Sequence, residues 1–202
     1  MARYTAAKAR VNRRLGAMIY ENAGVQRAFS RREQPPGMHP RSRRTSNYGI
    51  ALSEKQKIKH YYGLGERQLR RYFDKAGRMK GNTGEQLLIL CERRLDNVIR
   101  RAGFTVTRPQ ARQGIVHGHF RVNGVKVSSP SYLLRPGDVI TVKSSEKVRN
   151  YYSSVIASHS PEPLDWVTMD NEGLHATVQG VPGASDISLP VSANIVVEFM
   201  SR

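Results

Sequence analysis

The 202-residue chain sets 33 Lys and Arg against 16 Asp and Glu, a formal charge of +17, and holds a single cysteine. Such a surplus points to a polyanionic partner, because each phosphate neutralised by Lys or Arg releases condensed counterions. No run approaches the roughly 18 apolar residues of a membrane-spanning helix, no apolar signal core follows Met1, and one thiol makes neither a disulfide framework nor a cysteine zinc site. A soluble, intracellular chain that meets nucleic acid is expected. The charge is uneven: residues 1–44 carry +9, 45–92 +4, 93–150 +9 and 151–202 −5. The last quarter is therefore expected to face solvent, a basic neighbour or the chain's own basic body.

Residues 1–44 are arginine-rich, broken by Gly16, Gly24, Pro35-Pro36-Gly37 and Pro40, and poor in periodic apolar residues. They read as a basic extended arm with one weak helix over 7–15. Phosphates would remove its self-repulsion and order it. Ser53 reads as the cap of a helix that carries Glu54 in its first turn and ends at Gly63. A second helix, about 65–79, buries Leu69, Tyr72, Phe73 and Ala76 and turns Arg67, Arg70, Arg71, Lys75 and Arg78 outward. After the turn Lys80-Gly81-Asn82-Thr83-Gly84, a third helix over 85–92 takes Thr83 as its cap and buries Leu87, Leu88, Leu90 and Cys91. Cys91 reads as a buried structural thiol. The turn lacks the spacing of a nucleotide-binding phosphate loop, and no buried strand precedes it. Contact of its amides with an RNA phosphate stays open.

The stretch from 92 to 127 organises the rest. Leu95, Val98, Ile99 and Ala102 fall at i, i+3, i+4 and i+7, one apolar stripe that Gly103 stops. Arg93, Arg94, Asp96, Asn97, Arg100 and Arg101 take the other faces. Thr107 caps a second helix with Pro109 in its first turn; Ala111 and Ile115 point inward while Arg108 and Arg112, four apart, share another face. Asn123-Gly124, between Phe120-Arg121-Val122 and Val125-Lys126-Val127, is a hairpin signal, since both turn residues need positive φ. Eight Lys or Arg against one acid lie between Arg93 and Val127. Each alone reads as solvated surface; the set reads as a face for phosphates. Tyr132-Leu133-Leu134 and Val139-Ile140-Thr141-Val142 are expected as two further strands closing a small sheet behind the helices. A short helix over 150–158, a strand pair over 166–169 and 174–179, and a helical tail over 192–200 complete an α+β chain.

The segment NYGIALSEKQKIKHYYGLGERQLRRYFDKAGRMKGNTGEQLLILCERRLDNVIRRAGF (47–104) resembles the signature of bacterial-type small-subunit ribosomal protein S-four, and TRPQARQGIVHGHFRVNGVKV (107–127) resembles the RNA-binding module named after that family. The likeness runs from the first four residues to the apolar tail. The combination of EKQK, ERQ, KGNTGE and RLDN makes it specific, whereas the module alone also decorates enzymes.

The resemblance implies a basic arm (1–44), a small helical domain (45–92) completed by a C-terminal segment (161–202) that folds back on it, and an inserted RNA-binding domain (93–160) of two helices plus a small antiparallel sheet. It implies a structural constituent of the small ribosomal subunit that is a primary binder of the 5′ domain of small-subunit rRNA, nucleates assembly and contributes to translational accuracy. Neighbouring small-subunit proteins near the mRNA entrance are implied partners, and some bacterial members bind the mRNA of their own operon. No enzyme activity, cofactor, metal, membrane or small-molecule substrate is implied. Carried over by position, the RNA contacts are Arg3, Tyr4, Arg43 and Arg44 from the arm, then Tyr48, Gln56, Lys57, Arg67, Arg70, Arg71, Lys80 and Asn82 from the helical domain. Arg94, Asn97, Arg108, Arg112, Gln113, His117 and Lys126 come from the module. Arginines would fork onto phosphates, amides onto 2′-hydroxyls or base edges, and Tyr4 and Tyr48 would offer stacking faces. His117 reads equally as a turn-stabilising residue or a phosphate contact. Some family members bind zinc through four N-terminal cysteines; this chain has none there, His39 alone is no metal site, and the arm must take its order from RNA and packing.

Other classes fit less well. Enzymes that carry the module, such as pseudouridine synthases, need a catalytic domain larger than the remaining segments, which show no nucleotide fingerprint, nucleophile elbow or metal cluster. The helical domain argues against a stand-alone RNA-binding stress or ribosome-rescue factor. The hairpin and the scatter of arginines over the whole chain argue against a helix-turn-helix DNA binder.

Overall fold

The computed structural model describes residues 4–38, 45–158, 164–170 and 174–201. The helices there, in chain order, are α1 (Lys8–Leu15), α2 (Ala23–Arg31), α3 (Asn47–Tyr61), α4 (Glu66–Gly77), α5 (Thr83–Glu92), α6 (Leu95–Arg101), α7 (Arg108–Val116), α8 (Glu146–Ser158) and α9 (Ala193–Ser201). The strands are β1 (Phe120–Val122), β2 (Val125–Lys126), β3 (Val139–Val142), β4 (Val167–Asp170) and β5 (His175–Val178). The chain divides into two compact units: Met1–Leu88 with Ser188–Arg202, and Ile89–Ile187. No described helix is long and apolar enough to cross a membrane.

The first unit is helical. The segment expected to be extended beyond 7–15 holds a second helix, α2, packed on α1. Val25, Ala28 and Phe29 supply its apolar spacing, too short a signal to stand out among arginines. Asn12 pins the connection between the pair. Fully buried, its Oδ1 accepts from Ile19 N at 3.2 Å and Tyr20 N at 3.1 Å, and its Nδ2 donates to Tyr20 O at 3.1 Å. The start of α3 lies upstream of Ser53. Ser46 Oγ accepts from Gly49 N at 3.2 Å, while Ser53 sits inside the helix and its hydroxyl donates to Gly49 O at 2.9 Å. A mid-helix serine bonding back to the i−4 carbonyl looks like a cap in sequence and is not one. Likewise α5 begins at Thr83, so the capping oxygen is Asn82 Oδ1, 2.9 Å from Gly84 N. The apolar tail forms α9 and packs on α3: the rings of Tyr48 and Phe199 lie 5.3 Å apart, and Glu54 Oε2 accepts from Ser192 N at 3.0 Å.

The second unit is a five-stranded antiparallel sheet of order β2-β1-β3-β5-β4, with α6, α7 and α8 completing its core. The predicted stripe holds: Leu95, Val98 and Ile99 are fully buried, as are Ala111 and Ile115 of α7. They meet Phe120, Ile140, Ala176 and Val178 from the sheet, and the Phe104 ring sits edge-on to Phe120 at 5.7 Å. Each such aliphatic or aromatic side chain contributes about 1.5–3 kcal/mol of burial. The hairpin turn is as read, with Asn123 at φ 51° and Gly124 at φ 79°. Asn123 does more than turn. Its Oδ1 accepts from Val139 N and its Nδ2 donates to Asp138 Oδ1, both at 2.8 Å, tying the hairpin to β3.

Two expectations are corrected here. Tyr132-Leu133-Leu134 is no sheet strand: Leu134 N donates to Arg93 O at 3.0 Å and Leu95 N to Tyr132 O at 2.8 Å, so the backbone leading into α6 takes up its hydrogen bonds. The described residues from 164 to 187 fall in the second unit, not in the unit that holds the tail. They supply β4 and β5, and β5 pairs with β3 through Ile140↔Ala176. The alternation of Ala176 and Val178 inward gives the edge of β3 an apolar partner it would otherwise lack.

Candidate nucleic-acid interface

In the second unit the apolar stripe of α6 uses one face, but its polar faces are not left to water. Arg94 is fully buried and grips Asp96, Nε to Oδ1 at 3.0 Å and Nη2 to Oδ2 at 2.6 Å. Arg112 of α7 reaches the same Oδ2 at 3.6 Å. Beside this, buried Asn97 donates to both the carbonyl of Glu92 (3.1 Å) and its Oε2 (2.5 Å), and accepts from Arg108 Nε at 2.8 Å. Arg101 bonds Glu92 Oε2 at 3.3 Å and also donates to the Asp186 carbonyl. Charges this deep are tolerated only when paired and hydrogen-bonded. Arg94 and Asn97, expected as direct RNA contacts, are thus interior groups: Asn97 holds Arg108, and Arg94 shares the Asp96 carboxylate with Arg112. The residues missed are the two carboxylates. Glu92 and Asp96, four apart in a basic stretch, were the signal available.

Around this pair, Gln113 and His117 are exposed on and just after α7. His117 lies edge-on to His119 at 5.8 Å, and His119 Nδ1 sits 3.1 Å from the Tyr152 hydroxyl. Burial, then His117 and Lys143, hold His119 below its ordinary 6.5. On the hairpin, exposed Lys126 stands directly opposite exposed Arg121 in the ladder. Like charges facing each other across two strands repel. An anion offsets that repulsion, which adds Arg121 to the cationic face. Lys126 also folds its aliphatic stem over Gly118, whose φ of +71° is one that side chains rarely adopt. Cys91 is no nucleophile: burial pushes its thiol up to about 12.

In the first unit, Arg67, Arg70 and Arg71 stand exposed on α4, with Arg70 only loosely near Asp74 at 4.0 Å. Lys57 pairs with Glu54 at 2.5 Å, and Lys55 and Lys59 share Glu66 at 2.6 and 3.1 Å. Gln56 is half-buried, while Lys80 and Asn82 are exposed in the turn before α5. Tyr48 stays largely open despite its contact with Phe199. Tyr4 is stacked near Tyr20 (6.4 Å, 19°) and meets His60 edge-on at 5.2 Å. Burial, then Tyr4, raises the Tyr20 hydroxyl to about 12; burial, then Lys59 and Arg14, lowers His60. Arg3, Arg43 and Arg44 lie outside the described residues.

Among the described residues no group of three or more His, Cys, Asp or Glu could hold a metal ion. A helix pair, a tight hairpin with exposed cations and half-buried arginines anchored from below are the make-up of an RNA-binding module. Comparison with known proteins agrees. Residues 3–92 match the family described as the Ribosomal protein S4/S9 N-terminal domain, and residues 93–140 match the S4 domain. The chain is 70% identical over 202 residues to small ribosomal subunit protein uS4 of Rhodopirellula baltica, covering all of both chains. It is 42% identical to the uS4 of Desulfitobacterium hafniense and 44% to the uS4A of Symbiobacterium thermophilum, again across the full length of each. The chain belongs to the uS4 family of small ribosomal subunit proteins, which are ribosomal structural proteins and not enzymes.

Proposed function

We propose that the chain is a primary binder of the 5′ domain of small-subunit rRNA, that its binding nucleates subunit assembly, and that it stays ribosome-bound in the cytoplasm beside neighbouring proteins at the mRNA entrance, where it contributes to accuracy. The observation that supports the mechanism is the anchoring of Arg108 by Asn97 and of Arg112 by Asp96. A guanidinium already held at its rotamer does not lose that freedom on binding. Immobilising a long side chain costs about 0.5–1.5 kcal/mol, so two anchored arginines gain about 1–3 kcal/mol, roughly 5- to 150-fold in Kd. Their planar forks match phosphate oxygens. Arg67, Arg70, Arg71 and Lys80 supply further phosphate contacts from the first unit, Lys126 and Arg121 from the hairpin, and Tyr4 and Tyr48 stacking faces. Arg3, Arg43 and Arg44 belong to the same proposal by position in the family pattern.

The test is binding to a transcript of the rRNA 5′ domain against a scrambled RNA across a salt series. The native transcript is expected to keep its advantage at physiological salt, and Arg108→Ala with Arg112→Ala to reduce the log–log salt slope by roughly 1.4–1.8 units. If both RNAs bind alike and fall off together, the chain is a general polyanion binder and the assembly role fails. Retention on mature small subunits through a high-salt wash separates a resident protein from a transient factor.

A further inference from the structure

The clamp that fixes the connection between α1 and α2 has an oxidisable atom set against it. Asn12 is fully buried, and its carboxamide nitrogen carries two hydrogens. Nδ2 lies 3.1 Å from the Tyr20 carbonyl oxygen and 3.1 Å from Met18 Sδ, so one donor serves a backbone acceptor and a thioether. The backbone holds Met18 in this place. Gly16, at φ 60°, turns the chain back at the end of α1, and Ala17 N donates to Asn12 O at 3.3 Å. Ile19 N then donates to both Ala17 O at 3.0 Å and Asn12 Oδ1 at 3.2 Å. The side chain itself is not sealed. Met18 is 36% exposed while Ile19 beside it is 2% exposed, so Met18 joins the interior clamp to the surface.

We propose that Met18 is a redox modification site, at which peroxide converts the thioether to a sulfoxide and so loosens the joint between α1 and α2. A sulfur lone pair attacks one oxygen of hydrogen peroxide, and the O–O bond breaks as the S–O bond forms. The second oxygen leaves as hydroxide and takes the proton of the first to become water. Sulfur gives up two electrons, and the peroxide accepts them. Geometry decides the face. No oxygen fits between a sulfur and a nitrogen 3.1 Å apart, so it adds to the lone pair turned away from Asn12. What then meets the Asn12 N–H is no longer an acceptor but the positive end of the S–O dipole. A buried donor hydrogen loses its partner and gains a like partial charge beside it. Methionine sulfoxide reductases restore the thioether, so the change is reversible. The proposal stands apart from the rRNA-binding reading and does not depend on it.

The experiment treats the full chain with graded hydrogen peroxide. Met38, 92% exposed, and Met200, 5% exposed, bracket the reactivity expected of Met18. Peptide mass spectrometry should find Met18 oxidised well before Met200. After digestion, the two epimer-specific reductases are applied separately. Met38 sulfoxide should be repaired in similar shares by each, and Met18 sulfoxide chiefly by one, because only one lone pair is open to attack. In the intact oxidised chain the amides of Ile19 and Tyr20, which Asn12 Oδ1 holds, should exchange roughly 5- to 150-fold faster, the factor that leaving one buried donor unsatisfied implies. Treatment with both reductases should return them to the starting rate. Met18→Leu, an apolar replacement of similar volume, removes the sulfur, so the same dose should leave these amides unchanged while Met38 still oxidises. Oxidation of Met18 no faster than of Met200, or equal shares of the two epimers at Met18, would overturn the proposal. Full oxidation of Met18 without faster exchange at Ile19 and Tyr20 would overturn it too, as would a peroxide response as large in Met18→Leu as in wild type. The reductase reversal is read on wild type, so the test stands even if the variant does not fold.

Discussion

Replacing Asp96 with Ala tests the claim that the buried ion array under α6 is a structural foundation. Asp96 is 5% exposed and is the partner of Arg94, which is 0% exposed and grips both carboxylate oxygens. Without Asp96 a guanidinium remains in the interior with its main counter-charge gone, a change that costs about 3–5 kcal/mol. For a chain of this size each kcal/mol moves Tm by roughly 2–4 °C, so the melt should fall by roughly 6–20 °C. Urea unfolding followed by circular dichroism gives the same quantity from the midpoint. Asp74→Ala is the control, since its pair with Arg70 at 4.0 Å is exposed and such pairs contribute about 0–1 kcal/mol. A second variant separates charge from shape: Arg94→Met with Asp96→Leu removes both charges and should recover most of the loss. Binding adds an independent reading. Arg112 loses its anchor in Asp96→Ala, so the RNA Kd should weaken by roughly 2- to 12-fold, the cost of ordering one side chain. If Asp96→Ala is no more damaging than Asp74→Ala, the reasoning about a buried foundation is wrong.

Three further outcomes are expected. Asn12→Ala strands the amides of Ile19 and Tyr20 and should cost about 2–4 kcal/mol, seen as faster hydrogen exchange across α1 and α2 with little change in the second unit. Gly114→Ala drives a methyl into the Tyr152 hydroxyl and to 3.0 Å from the Phe120 ring, so it should lower stability by about 1–3 kcal/mol although alanine is the better helix former. His119 is held below 6.5 by burial, His117 and Lys143, so the unfolded chain takes up its proton first. That contribution is complete above about pH 6.5 and is lost as pH falls through the lower folded value; His119→Gln should flatten this limb of a stability–pH curve measured between pH 5 and 8.

Local signals carried most of the fold. The cap Thr107 accepts from Gln110 N, the Asn123-Gly124 turn has both residues at positive φ, and the stripe Leu95, Val98, Ile99 is buried as its spacing requires. Each of these is decided within a few residues. What escaped depends on partners far along the chain. Arg94 and Asn97 looked like surface because the helical stripe rule assigns only the apolar face to the interior. Their burial comes from Arg108 and Arg112, from Glu92, and from the bridge between Arg94 and Leu133. The same bridge took Leu133 out of the sheet. Ser53 was read as the cap because nothing local to it shows that the helix has already begun; Ser46, seven residues upstream, meets the first free amides. Outward arginines on α4 were readable from spacing alone; the contact of Met18 with Asn12 was not, because it needs the turn at Gly16 to fold the chain back onto α1.

The Asn12 clamp has a consequence for the conditions in which the N-terminal helices keep their shape. Four cysteines holding zinc, which the family resemblance allows in this region, would make it depend on metal supply and on reduced thiols; residues 1–44 of this chain hold no cysteine. Here one carboxamide ties the connection through hydrogen bonds to Ile19 and Tyr20, and the chain's lone thiol is sealed inside the second unit. An amide is neither chelated away nor oxidised. A chelator should therefore leave α1 and α2 intact, while peroxide reaches the region only through the exposed Met18 thioether, which lies 3.1 Å from Asn12 Nδ2.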